Sequence, residues 1–394
     1  MGSNLKDRLA RIRSSNFVKP AQSTLARPAP LTQQPQPASA SLALPAASFG
    51  PEWSPQGYQV LQRQLELDLP LAVPKTFCDS LAIIIRDIYK YGKTPKPEDL
   101  LFFDLETTGL SGGAGTLAFL ASFGRLVINK KTKKQCLVIK QYLLLDYPGE
   151  SDFLEIAKEE LLKTGPLDKP QLIVSYNGKT FDSQIINNRC LMNGIKLPKY
   201  FHADLLHPAR KLWKRILPNC SQSTIETLIP GLCREGDIPG AMAPDIWFSF
   251  LKTGHTQELM GICEHNILDI KGLACIILLM ESIAASPLKA FKKISFDLEN
   301  LALEWRNAMF RYSTFFDEMQ KDIAKKLLEA AADLKMPRSL FLLAKIAEWQ
   351  ERDYKKALAY TESCLAVPQI KESLIIDLER RRERLCKKIE RTCI

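Results

Sequence analysis

The stretch from Phe102 to Gly109 reads Phe-Phe-Asp-Leu-Glu-Thr-Thr-Gly. Its apolar start has the character of a strand covered on both faces in a parallel arrangement. Side chains two apart on a strand point the same way, so Asp104 and Glu106 project from one face at the strand's end. Two carboxylates so placed repel each other unless a cation lies between them. Hard oxygen ligands of this kind select Mg²⁺ or Mn²⁺. The pair has a plainer reading as strand-end acids in solvent, so the rest of the chain must decide.

Outward from this strand the pattern is mixed. Thr116–Phe123 and Cys136–Leu145 are the next strand candidates, joined by the polar turn Asn129–Lys134. Glu150–Leu162 has helical spacing, with acids near its start. Gln171–Tyr176 is again an apolar strand, and a helix begins near Phe181. Strands that lead into helices in this order predict an α/β fold with a mixed sheet. After residue 286 strand signals vanish and amphipathic helices rich in Leu, Ala, Lys and Glu take over. Within them, Ser339–Pro368 resembles one tetratricopeptide repeat, with Ala344, Tyr354, Ala357, Leu358 and Pro368 near the expected places. An ordinary helical hairpin accounts for the same pattern.

Two further motifs carry chemistry. Tyr176-Asn177-Gly178-Lys179-Thr180-Phe181-Asp182 places Asp182 where a strand passes through a glycine turn into a helix. Taken alone, Asp182 reads as a helix N-cap. His265-Asn266-Ile267-Leu268-Asp269 lies in a helical stretch that begins near Thr256. His265 and Asp269 are four residues apart and share one helix face. Read singly, they are a surface histidine and a solvated acid. Asp204, in another short strand candidate, suits an acid that supports a metal site from outside. His202 and His207 nearby suit structural roles.

In order and spacing, the three motifs resemble those of the DEDD exonucleases. DLETTG is similar to their first motif and YNGKTFD to their second. HNILD has the spacing of the third motif in its tyrosine form, with histidine in the tyrosine position. A closer resemblance is to the YprB-type RNase H-like family. It rests on DLETTGLSGGAGTLAFL (Asp104–Leu120), HADLLHPARKLW (His202–Trp213), DIPG (Asp237–Gly240) and EHNILDI (Glu264–Ile270), and covers residues 95–285.

This resemblance implies an RNase H-like mixed five-stranded sheet flanked by helices. It implies two divalent ions, Mg²⁺ or Mn²⁺, on Asp104, Glu106, Asp182 and Asp269, clamping the attacking and leaving oxygens of a phosphoryl displacement. His265 would orient or deprotonate the attacking water. Thr107, Thr108, Gly109, Tyr176, Asn177, Phe181 and Arg210 would contact the substrate, and Gly112, Gly113 and Gly115 would let its backbone approach, or simply form a tight hairpin.

Composition is compatible with this. The 394 residues are 46% hydrophobic and carry a net charge of +10, which suits a folded protein with an anionic partner such as nucleic acid. Arg210, Lys211, Lys214 and Arg215 flank Trp213 and are the favoured nucleic-acid track. The lysines at 130, 131, 133 and 134, and Arg380, Arg381, Arg382 and Arg384, read as solvated charge. Ten cysteines without CxxC or zinc spacing suit a reduced, cytoplasmic protein, and only four histidines exclude a histidine-rich metal site. No apolar run reaches membrane-spanning length. The first residues lack the apolar core of a secretory signal and the Ser or Thr that myristoylation requires, and the C-terminal Arg-Thr-Cys-Ile is not a prenylation box.

The expected organisation is a disordered Pro/Ala/Ser/Gln-rich segment over 1–57, a lead-in over 58–94, the α/β domain over 95–285 and an all-α, repeat-like region over 286–394. The resemblance implies a 3′→5′ exonuclease acting on single-stranded DNA or RNA. A structure-specific endonuclease and a catalytically inactive binding scaffold are the alternatives, and the helical region is a candidate surface for a protein partner.

Overall fold

The computed structural model describes residues 46–109, 115–129, 135–163, 170–312 and 318–392. The expectations for residues 1–45, for Gly112 and Gly113, and for the lysines between 130 and 134 lie outside these. A mixed sheet of seven strands runs β1 (Ser54–Gly57), β2 (Val60–Leu67), β5 (Gln135–Leu144), β4 (Ala118–Ile128), β3 (Leu100–Thr107), β6 (Leu172–Ser175), β7 (Phe201–Asp204). β1 to β5 pair antiparallel, whereas β3–β6 and β6–β7 are parallel.

The sheet exceeds the expected five strands because β1 and β2 join it ahead of residue 95, and the disorder expected over 1–57 is corrected for a short helical turn at Ala46–Phe49 and for β1. β2 pairs with β5 along its whole length, with Arg63 opposite Gln141. Its sequence, VLQRQLEL, places an arginine where an apolar residue would be expected, which hides the strand. In the fold Arg63 is only 3% exposed, because its Nε donates to Gln141 Oε1 at 2.7 Å and its Nη1 meets Glu264 Oε1 at 2.8 Å.

β3 lies inside the sheet, with β4 on one side and β6 on the other. Its alternate residues feed two cores. Leu101, Phe103 and Leu105 pack with Phe119, Phe123 and residues of helices α1 (Glu150–Leu162), α2 (Asp182–Met192) and α5 (Ala243–Thr253). Leu100 and Phe102 pack against the opposite layer. This second layer includes α3 (Leu206–Trp213), α4 (Gln222–Glu226) and most of the 29-residue α6 (Gln257–Ala285). Early residues of α6, such as Leu259 and Ile262, belong to the first core and Ile267 onward to the second. His265, Asn266 and Asp269 lie at this changeover. Gly124 on β4 permits α6 to come this close, since a Cβ there would lie 2.5 Å from Ile270 Cγ2.

The C-terminal helices are α7 (Leu298–Arg311), α8 (Glu318–Asp333), α9 (Pro337–Ile346), α10 (Tyr354–Leu365) and α11 (Glu372–Thr392). They are continuous with the second core through Leu301, Trp305, Leu327, Leu340, Leu343 and Leu378. Burial of these apolar faces is what holds the helices to the sheet layer. Ser339–Pro368 is a helical hairpin in which a π turn (Ala347–Glu351) connects α9 towards α10. No described helix is long and apolar enough to cross a membrane.

Candidate metal and nuclease site

Three elements converge on one cleft. The end of β3 supplies Asp104, Glu106 and Thr107. The β6–α2 turn supplies Tyr176, Asn177, Phe181 and Asp182, and α6 supplies His265 and Asp269. The cleft measures about 220 Å³ and is also lined by Gly240 and Pro244, around the start of α5.

Each carboxylate is held by its local structure. Asn266 Nδ2 donates to Asp104 Oδ2 at 2.6 Å. Asn266 Oδ1 in turn accepts from Ser122 Oγ, and from Gln141 Nε2 at 3.2 Å. Gln141 is the residue Arg63 holds, so a buried polar chain runs from the added strand β2 to Asp104. Such a chain fixes geometry because every buried group in it requires its partner.

Asp182 is the first residue of α2, not its N-cap; Phe181 occupies the cap position. The carboxylate is 4% exposed and sits at the positive end of the helix. The turn before it is tight. Asn177 adopts a left-handed backbone with φ 65°, a conformation asparagine tolerates. Gly178 has no room for a side chain, since a Cβ would lie 2.4 Å from Ser175 Oγ and 2.8 Å from Asp182 Oδ2. Asp204 organises this turn. Its Oδ1 accepts from the backbone N–H of Asn177 at 2.8 Å and of Leu206 at 3.0 Å, and its Oδ2 from that of Lys179 at 3.2 Å.

Electrostatics divide the acids. Burial first, then the charges of Asp269, Asp182 and Glu106, push Asp104 well above the usual carboxylate range. Burial also raises Glu106, against the pull of His265 and with Asp269 and Asp182 adding to it. Asp182 is raised by burial and by the charges of Asp204 and Asp269, with its own backbone N–H opposing. Asp269 is the exception. Burial works to raise it, but His265 and Arg234 outweigh that and hold it low.

Arg234 was not singled out by its sequence. It lies in the loop before Asp237, and its Nη2 meets Asp269 Oδ1 at 2.5 Å. Its Nε and Nη2 fork onto Glu226 at 2.6 and 2.8 Å, and its Nη1 meets Asp237 Oδ2 at 3.1 Å. Asp237 Oδ1 then bonds His265 Nδ1 at 2.7 Å, and His265 Nε2 lies 3.2 Å from Asp269 Oδ2. Burial disfavours charge on His265, yet the hydrogen bond and charge of Asp269, with Asp237 and Glu106, hold its pKa up at about 9. Gln222 Nε2 donates to the Asp269 carbonyl at 2.8 Å. Asp237 was visible as part of the DIPG segment. Arg234 and Glu226 had no signal, because nothing in spacing or periodicity links a loop residue to an acid on another element.

The chemistry of the donor set fits a divalent cation. Asp104, Glu106 and Asp182 are hard-oxygen donors raised first by burial and then by neighbouring carboxylates, a repulsion that a cation among them would offset. Ligand atoms of Glu106, His265 and Asp269 all lie within 4.8 Å of one another.

Other expected substrate contacts divide. Thr107, Tyr176, Asn177 and Phe181 line the cleft; Thr108, Gly109 and Arg210 do not. The Thr107 hydroxyl donates to the Gly109 carbonyl at 2.9 Å, and Thr108 Oγ1 accepts from the backbone N–H of Leu117 at 3.1 Å, so both bind within the loop. Arg210 is exposed on α3, where its charge reaches Tyr176. The basic cluster around Trp213 divides, with Arg210 and Lys214 exposed and Lys211 and Arg215 paired with acids. Trp213 is fully buried, and its Nε1 donates to the Ser295 carbonyl at 3.1 Å. Lys211 pairs with Glu304 at 2.8 Å, and Arg215 with Asp297 at 2.5 Å and Glu299 at 3.1 Å. Lys211 and Arg215 are thus matched by acids of the C-terminal region, which adjacency in sequence does not disclose. His202 is structural. It bonds Ser175 Oγ at 2.7 Å and Ser183 Oγ at 3.1 Å, and burial drives its pKa down to about 4.

Comparison with known proteins places this geometry in a family context. The model of the RNase_H superfamily matches residues 101–281. The chain is similar to uncharacterized protein YprB of Bacillus subtilis (strain 168), 38% identical over 178 residues. That match covers 44% of this chain and 40% of the YprB chain, so the likeness spans less than half of either.

Proposed function

We propose, for a chain whose residues 101–281 are an RNase_H superfamily domain, that it is a metal-dependent 3′→5′ exonuclease acting on single-stranded DNA or RNA. The observation that carries this reading is the convergence of Asp104, Glu106, Asp182 and Asp269 from three separate elements on one cleft, with His265 beside them. Mg²⁺ or Mn²⁺ held there supplies Lewis-acid stabilisation of charge developing at a scissile phosphate.

In this reading the four carboxylates are the metal ligands. His265, fixed at Nδ1 by Asp237, orients the attacking water through Nε2. Tyr176 and Phe181 offer faces for a terminal base, and Thr107 and Asn177 offer polar contacts. Exonuclease polarity rests on the resemblance of the motif order to the DEDD enzymes. A reducing, cytoplasmic setting belongs to the proposal, supported by single thiols such as Cys190 and Cys263 in the core.

One observation favours a second role for His265. Its ligand atom lies within 4.8 Å of those of Glu106 and Asp269, close enough for His265 itself to join a metal.

The test is incubation of purified protein with end-labelled single strands in Mg²⁺, Mn²⁺ or EDTA. Stepwise shortening that requires metal and disappears in Asp104→Ala is the expected result. Internal products would replace the exonuclease by an endonuclease. Tight binding without product, in every metal and on several substrates, would sink both.

A further inference from the structure

We propose that α11, together with Trp349, forms a second binding site for single-stranded nucleic acid, none of whose residues lines the carboxylate cleft. Arg380, Arg384, Lys387, Lys388 and Arg391, with Glu383, line a groove of about 360 Å³. The cations fall at spacings of three, four and seven along one helix, so they share a face. At 1.5 Å rise per residue they extend over roughly 16 Å, a span that suits a polyanion better than a single small anion.

The charge on this face is in surplus. Glu348 has a fully buried side chain and accepts from Arg384 Nε at 2.9 Å, Arg384 Nη2 at 3.0 Å and Lys388 Nζ at 3.0 Å, and also from Arg381. One carboxylate facing three cations leaves net positive charge. Arg380, Lys387 and Arg391 pair with no acid among the described residues, and they remain exposed.

Beside this face stands an aromatic side chain that stays largely exposed. Trp349 is 63% exposed on the π turn, next to Glu348. Lys388 Nζ lies 4.8 Å from its ring centroid and Arg384 Cζ 5.9 Å. A positive groove with an exposed indole has the two parts that sequence-tolerant single-strand binding requires: cations that follow the phosphates and a π surface on which a base stacks. An anionic membrane would also attract such a face, but the RNase_H superfamily domain in the same chain favours nucleic acid. The inference rests on the nuclease reading for that choice of partner.

The experiment measures fluorescence anisotropy of labelled oligothymidylate and oligouridylate with the full chain in EDTA, across a salt series. The variants are Trp349→Ala, Trp349→Phe, and the triple change Arg380→Gln, Lys387→Gln, Arg391→Gln, chosen because none of the three cations supports Glu348. Trp349→Ala is expected to weaken binding by roughly 5- to 150-fold, and Trp349→Phe by much less. The triple variant should flatten the salt dependence by about 2 in log–log slope, at about 0.7 for each phosphate on a single strand. Unchanged affinity and slope in both the Ala and triple variants, with wild-type circular dichroism, overturns the proposal. Equal affinity for vesicles rich in anionic lipid, lost in the same variants, overturns it in favour of a membrane surface. A wild-type protein that binds strands but cuts none, while these variants lose binding, refutes the nuclease reading and leaves the second site standing.

Discussion

Arg234 Nη2 and Asp269 Oδ1 lie 2.5 Å apart, and His265 together with this guanidinium makes Asp269 unlike the other three acids of the cleft. Asp104, Glu106 and Asp182 are raised by burial and by neighbouring carboxylates, whereas Asp269 stays low. The same guanidinium holds Glu226 and, through Asp237, sets His265. One loop cation thus organises the α6 side of the site.

Arg234→Gln tests this directly. It leaves the nearly buried Glu226 without its cation, and breaking one partner of a buried pair costs on the order of 3 kcal/mol. Urea unfolding should register that loss. Metal-dependent cleavage should fall by about 10- to 100-fold, as for other residues that orient a ligand from behind. Wild-type stability and rate together would mean that Arg234 does not organise Asp269.

Asp104→Asn should separate charge from shape. The amide can still accept from Asn266, and it replaces a carboxyl that burial and the charges of Asp269, Asp182 and Glu106 all disfavour in its charged form. The metal-free variant should therefore be more stable, by about 1 kcal/mol, a common gain where a functional site holds repulsion. It should also lose the stabilisation by Mn²⁺ that the wild type gains, about 2.7 kcal/mol at a hundredfold excess over Kd. Thermal melts with and without Mn²⁺ measure both. A variant that is still stabilised by Mn²⁺ as fully as the wild type would remove Asp104 from the ligand set.

His265→Ala distinguishes water orientation from metal ligation. As an orienting or proton-transfer group it should cost rate by about 10² or more while calorimetric Mn²⁺ affinity holds. Loss of Mn²⁺ affinity would instead assign His265 to the metal with Glu106 and Asp269.

His202 should make the protein acid-sensitive. Its folded pKa is depressed from 6.5 to about 4, so between these values the unfolded chain binds the extra proton. Stability contributed by the neutral imidazole is complete above pH 6.5 and is lost as pH falls towards 4. The loss is on the order of 3 kcal/mol, from about 1.4 kcal/mol per pKa unit. His202→Gln should lower stability at neutral pH, through its altered serine bonds, yet show a shallower decline from pH 6.5 to 4. Parallel pH profiles for the two proteins would rule His202 out as the source.

Much of the site was legible before any coordinates. β3 was readable from Phe102–Leu105 because a run of buried apolar residues has few other uses. Asp104 and Glu106 follow from its two-residue period, and His265 with Asp269 from the four-residue period of α6. Helix α1 was expected over Glu150–Leu162 and lies there, since acids at its start and regular apolar spacing are local signals. β2 was not legible, because Arg63 occupies a buried position that only Gln141 and Glu264 make tolerable. Half of the cluster around Trp213 was unreadable for a related reason: Lys211 and Arg215 are matched by acids near residue 300.

By itself, then, the sequence determined which carboxylates are available, on which kind of element each sits and in what order, because strand and helix periods are set by local backbone geometry. Only the tertiary structure decided that Arg234 clamps Asp269, that Asp237 turns His265 and that Asn266 ties Asp104 to the polar chain from β2. Those partners come from segments far apart in the chain. Their pairing is enforced by burial, where a polar group without a partner is too costly to persist, and no local pattern records it.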